Sequence, residues 1–202
     1  AELEVLLPKN LVNEQFIEWA KVSVAYWLKE IDTEEIINKL CYIVEKTIKF
    51  EELMTAESIF LSNNEELILY TISTKYKFNK DKDKALKFIQ PIYNKLKSYG
   101  EADRQKYIRN VELYMSYAAS LLGSMGEYDE SDKISKNVIK AQLQYGRIHM
   151  VHNNLASMAW NLYEVNGDKK AYSDSLYQCM LWSQLRKDNY FEDRYKDRML
   201  QL

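Results

Sequence analysis

Proline and glycine are scarce: two and five in 202 residues, with every glycine at or after residue 100. Few forced breaks, and no run of strict apolar/polar alternation, leave strands without support, so the chain reads as all helix. Cysteine is also rare. Cys41 and Cys179 fall inside helical patterns, which suits free, buried thiols in a reducing cytoplasm better than an export route. The only histidines, His149 and His152, stand i, i+3, but no third ligand is near in sequence. No metal site is therefore expected, one ring being packed and the other exposed. No apolar run approaches the ~18 residues of a membrane-spanning helix. The start, AELEVLLPKN, lacks the basic flank and apolar stretch of a signal peptide, and its opening Ala suggests an excised piece. No P-loop, GxSxG or GxGxxG occurs. The acid pairs Glu34/Glu35 and Glu65/Glu66 sit in first helical turns, where carboxylates favour the helix dipole. Catalysis and cofactors have no support, and an enzyme is only the third reading. With a net charge of −2, and no basic stripe interleaved with aromatics, these residues do not look like a nucleic-acid surface.

What is present is a normal soluble balance, 47% hydrophobic and 29% charged, and a unit that recurs three times. Each copy is an apolar helix, a short Gly/Asn/Asp/Lys turn, a small residue opening a second helix, and a stop. The turns read FNKDKDKA at 78–85, GEYDES at 126–131 and NGDKKA at 166–171. Ala85, Ser131 and Ala171 succeed one another at 46 and 40 residues, the range of helical-hairpin repeats. A lone hairpin cannot bury its apolar face, so such units stack and leave a curved inner wall. The fold class expected is all-α, antiparallel hairpins stacked as a right-handed solenoid.

Helices are expected near 13–30, with Phe16, Ala20, Val24, Trp27 and Ile31 on one stripe, and from Asp32, where Glu35 completes a capping-box spacing. The second stripe is Ile37, Leu40, Cys41, Val44 and Ile48. Residues 50–61 are ambiguous. Hairpin one uses 63–78, opened by Ser62 and Glu65, and 81–99, where Pro91 should kink the helix. Hairpin two uses 102–124 and 128–145, hairpin three 148–165 and 168–187, and a last helix 189–201 caps the array. Residues 1–61 would pack on or extend the array, and 62–202 form one continuous domain with it. The run Lys80–Lys84 is a solvated turn rather than a site.

The packing places, Leu69, Ile72, Ser73, Tyr76 and Ala85, then Met115, Ala118, Ala119, Leu122 and Ser131, then Leu155, Met158, Ala159, Leu162 and Ala171, resemble a degenerate tetratricopeptide repeat. A narrower likeness covers about 33–200. The segments LSNNEELILYTIS, LLGSMGEYDES, NNLASMAWNLYEVNGDKKA and LYQCMLWSQLRKDNYFEDRYKDRM are similar to the repeat region of peptide-sensing regulators of Gram-positive bacteria, the Rgg, PlcR, PrgX and Rap group. The resemblance implies a short signalling peptide held in the groove of a quorum-sensing regulator. In most members a helix-turn-helix domain binds DNA, and none is recognisable in these residues.

In such an array the first helix of each hairpin faces inward. That presents Leu67, Tyr70, Thr74, Lys77 and Phe78, then Leu113, Ser116, Tyr117 and Ser120, then Asn153, Ala156, Trp160, Tyr163 and Glu164, with Asn154, Ser157 and Asn161 alongside. Amides can match a peptide backbone and aromatics add contact area, so the ligand set is Tyr70, Thr74, Lys77, Tyr117, Asn153, Asn154, Ser157, Trp160, Asn161 and Glu164. The resemblance singles out Asn153, Asn154 and Asn161 as backbone-holding amides. Each of these residue types at helical spacing also serves packing. The expected partner is a short peptide or a segment of another protein, with no membrane involved, and the alternative function is a static interaction scaffold. Homodimerisation is expected through Phe191, Tyr195 and Met199 on the last helix.

Overall fold

The computed structural model describes residues 10–55 and 60–201. Among the described residues every regular element is a helix. The chain divides into two compact units, one ending at Ser98 and the other starting at Tyr99. The first hairpin lies in the first of these units, with the N-terminal helices.

The first unit holds α1 (Leu11–Trp27), α2 (Thr33–Glu45), the short α3 (Phe50–Thr55), α4 (Asn63–Phe78) and α5 (Lys82–Lys97). Local chemistry sets their starts. Asn10 and Asp32 accept from the backbone N–H groups of Asn13 and Glu35, at 2.9 and 2.8 Å. Ser62 and Glu65 form both halves of a capping box. The core joins Ile36, Ile37, Leu40, Ile43 and Val44 of α2 to Ile68, Leu69 and Ile72 of α4 and Phe88, Ile89, Ile92 and Leu96 of α5. Cys41, on the edge of the α2 stripe, is only half-buried, and burial, with Glu45 nearby, pushes its thiol up to about 11. The α1 stripe departs from expectation. Val24 and Trp27 are exposed, and the buried position is Gln15, whose amide donates to the Ile43 carbonyl and to Thr47 Oγ1. α1 also meets α4, where the Trp19 indole donates to Thr71 Oγ1 at 3.4 Å. α5 runs through Pro91 without a break.

The second unit begins with α6 (Glu101–Lys106). α7 comes next as three consecutive stretches: Ile108–Asn110, a π-helical turn at Val111–Met115, and Ser116–Ser124. Then come α8 (Tyr128–Gln144), a 3-10 turn at Ile148–Met150, α9 (Val151–Asn166), α10 (Lys169–Leu185) and α11 (Asn189–Leu200). α7 pairs with α8, α8 with α9, α9 with α10 and α10 with α11, the succession of antiparallel neighbours that stacked hairpins require. Gly167 closes α9 in the left-handed region at φ 69°, where a side chain would be strained. Lys80 takes the same conformation, φ 65°, at the end of α4.

The last helix is spent inside this unit. Tyr195 is buried with Ala156, Tyr172, Leu176, Cys179 and Met180, and Phe191 and Met199 pack against that cluster. His152 is buried too, its Nδ1 within 2.8 Å of the Tyr195 hydroxyl. Within the stripe Phe191–Tyr195–Met199, Tyr195 is thus taken up by its own hairpin, while Phe191 and Met199 stay partly exposed. Burial pushes the Cys179 thiol up to about 11, as for Cys41, so neither is a nucleophile at neutral pH. The side chain of His149 lies outside the described residues.

Candidate functional site

The expected ligand residues fall on three helices. On α4, Tyr70, Thr74 and Lys77 stand i, i+4, i+7 and are half-buried on one stripe. Burial raises the Tyr70 phenol above its usual range. Thr74 Oγ1 donates to the Thr71 carbonyl at 2.7 Å, a local side-chain-to-backbone bond. This face belongs to the first unit.

In the second unit α7 carries Tyr117 and Ser120, both half-buried, and Leu113, 46% exposed. Ser116, expected beside them, is buried. The π-turn at Val111–Met115 explains the difference, because one extra residue in a turn rotates the downstream positions against the regular period. Inside that turn Glu112 is buried and accepts from Arg147 Nε at 2.9 Å. The loop before α9 is thereby tied to α7.

α9 carries most of the set, and the structure divides it. Asn153, Ser157, Trp160 and Glu164 stand at i, i+4, i+7, i+11, all half-buried or exposed. Ser157 Oγ donates to the Asn153 carbonyl at 3.1 Å. The Trp160 ring, 37% exposed, lies 5.6 Å from those of Tyr163 and Tyr172, so its indole is pre-positioned by its own hairpin.

The other two amides face the packing. Asn154 and Asn161 are 1% and 2% exposed. Asn161 Nδ2 donates to Ser131 Oγ at 2.9 Å and Asp132 Oδ1 at 2.7 Å, both on α8. A Cβ on Gly123 would stand 2.5 Å from Asn161 Oδ1, so α7, α8 and α9 close around this amide only because residue 123 has no side chain. Asn161 is a clamp between hairpins rather than an accessible contact, and Asn154 is buried as well. The signal that could have told Asn161 from Asn153 was in the chain: a glycine in the last turn of α7, at position 123, and a serine at 131.

Among the described residues no group of three or more His, Cys, Asp or Glu could hold a metal ion. No helix among them is long and apolar enough to cross a membrane.

No known family profile matches the chain, and no curated protein does. Solved structures do. The apo form of PlcR from Bacillus thuringiensis superposes with a TM-score of 0.71 over 96% of this chain at 15% identity. The fold is PlcR-like. PlcR in complex with the peptide PapR7 and DNA gives 0.67 over 93% at 16% identity. This chain spans 66% and 62% of those two chains, less than two thirds of either. The chain thus resembles PlcR in fold, a tetratricopeptide-like arrangement that is all-helical among the described residues.

Proposed function

We propose that this chain is the peptide-binding part of a PlcR-like regulator, acting in the cytoplasm in quorum sensing. The observation that supports it most is the extent of the fold likeness: nearly the whole chain matches a protein crystallised with a peptide. The exposed residues agree in chemistry. Asn153 offers a donor and an acceptor to a peptide unit, Trp160 a held aromatic surface, Ser157 a hydroxyl, and Glu164 a charge for a basic ligand group. Tyr117 on α7 completes the proposed contacts of the second unit, and Tyr70, Thr74 and Lys77 on α4 are proposed as a contact face of the first unit taken by itself. A homodimer through the terminal helices belongs to the same reading. DNA binding would reside in a domain outside these residues.

Calorimetry against a library of short linear peptides tests the reading. One peptide should bind at micromolar Kd or tighter. Asn153→Ala and Trp160→Ala should each weaken it about tenfold or more, since truncating a buried hot-spot contact costs roughly 1–3 kcal/mol. A folded protein that binds none, or binds one with affinity unchanged in both variants, overturns the assignment. Binding of only a long folded partner, with no change in hydrogen exchange away from the contact, would instead favour a static scaffold.

A further inference from the structure

Helix α9 has a second face. Leu155, Met158, Ala159 and Leu162 lie roughly half a turn around its axis from the stripe Asn153, Ser157, Trp160 and Glu164. There they floor a cleft of about 490 Å³, with Asp132 of α8 on one wall and Gln178 and Trp182 of α10 on the other. Leu155, Leu162 and Trp182 are 45%, 56% and 37% exposed, so the apolar lining stands open to solvent.

One charge interrupts it. Asp132 Oδ1 accepts from Asn161, and no lysine or arginine among the described residues forms an ion pair with this carboxylate. A carboxylate accepts at about four lone-pair sites, so most of its capacity is left after one amide bond. A half-buried anion against apolar walls is stabilised by a counter-charge that also covers those walls.

We propose that this cleft binds a small organic cation with an apolar tail, its ammonium group at Asp132 and its tail along Leu155, Met158 and Leu162 against Trp182. Size selects the class. The floor from Leu155 to Leu162 is about 10 Å long at 1.5 Å per residue. A docked helix of that length, about 10 Å across, would need roughly 800 Å³, well above the cleft's volume. The volume does fall in the ~300–1,000 Å³ range of small-molecule sites. The proposal is independent of the peptide reading, since it uses the opposite face of α9 and residues of the second unit alone.

The test titrates the intact chain with n-octylammonium, octanoate and 1-octanol, read by calorimetry and by amide NMR shifts on α9 and α10. Octylammonium should bind with Kd on the order of 0.1 mM, which its nine non-hydrogen atoms support, and octanoate about tenfold or more weaker. Asp132→Asn keeps an acceptor for Asn161 and should remove the preference for the ammonium over the alcohol. Leu155→Lys, at a position 45% exposed, places a cation in the cleft and should weaken octylammonium about tenfold. No binding, equal binding of all three probes, or affinity unchanged in both variants overturns the proposal. So does a concentration-dependent dimer that octylammonium dissociates, which would make a second copy the occupant.

Discussion

The hairpin of the first unit and the first hairpin of the second solve the same crossing with the residues exchanged. In α4/α5, Ser73 Oγ donates to the Ala85 carbonyl at 2.6 Å. In α7/α8, Ser131 Oγ donates to the Ala119 carbonyl at 2.8 Å. The serine has moved from the first helix to the second, yet both pairs are separated by twelve residues and both hydroxyls bridge the hairpin. The third hairpin places Ala159 and Ala171 at the same spacing with no hydroxyl at all. There the stacked rings of Tyr163 and Tyr172, 5.2 Å apart, join α9 to α10. What recurs is the small residue at close approach, and the polar bridge is interchangeable. Both units also hide a carboxylate against a cation, the first more deeply. Glu66, fully buried, meets Lys95 at 2.5 Å, and Lys95 also donates to the Leu61 carbonyl. Glu112 of the second unit, 5% exposed, meets the more open Arg147 at 2.9 Å.

That difference gives the largest expected effect. Lys95→Ala takes the ammonium away from the buried Glu66 and should cost about 3–5 kcal/mol, while the paired change Glu66→Leu with Lys95→Met should be near neutral. Chemical denaturation combined with hydrogen exchange should place the loss in the first unit, and an equal loss in the second would break the comparison. Gly123→Ala comes next. Its Cβ collides with Asn161 Oδ1, and overpacking of this kind costs about 1–3 kcal/mol. Adding Asn161→Ala should recover part of that, and no recovery would mean that Ser131, also close, governs the contact.

The exchange of serine and alanine can be made by hand. Ser73→Ala alone should lose about 1 kcal/mol, and adding Ala85→Ser should restore most of it if the hydroxyl works from either helix. Thermal melts of the three proteins decide. The smallest effect is a gain. Lys80 holds a left-handed conformation that costs a non-glycine residue about 1 kcal/mol, so Lys80→Gly should raise the melting temperature by a few degrees. The matching Gly167→Lys should lower it.

The parts of the fold set by short-range chemistry were legible in the chain. Ser62 with Glu65, Asp32, Asp81 and Asp168 announce helix starts through their own side chains, and the observed ends fall within a few residues of expectation. What depends on neighbours was not. Val24 and Trp27 have helical spacing, but spacing alone does not say which face a second helix covers, and Gln15 took the buried place. The π-turn of α7 has no local signature, so the regular helical period puts Ser116 on the wrong side. At the proposed site four amide or hydroxyl positions on α9 look alike in one dimension. Only the approach of α8 and α7 separates Asn161, clamped against Ser131 and Gly123, from Asn153 and Ser157.

The proposed role of α9 is tested most directly by amide hydrogen exchange of the chain with and without a library-selected peptide. Protection should appear along Asn153–Glu164 and around Tyr117, and should vanish in Asn153→Ala with Trp160→Ala at the same peptide concentration. Protection confined to the α8 and α10 walls of the opposite cleft, or none on α9, would contradict it.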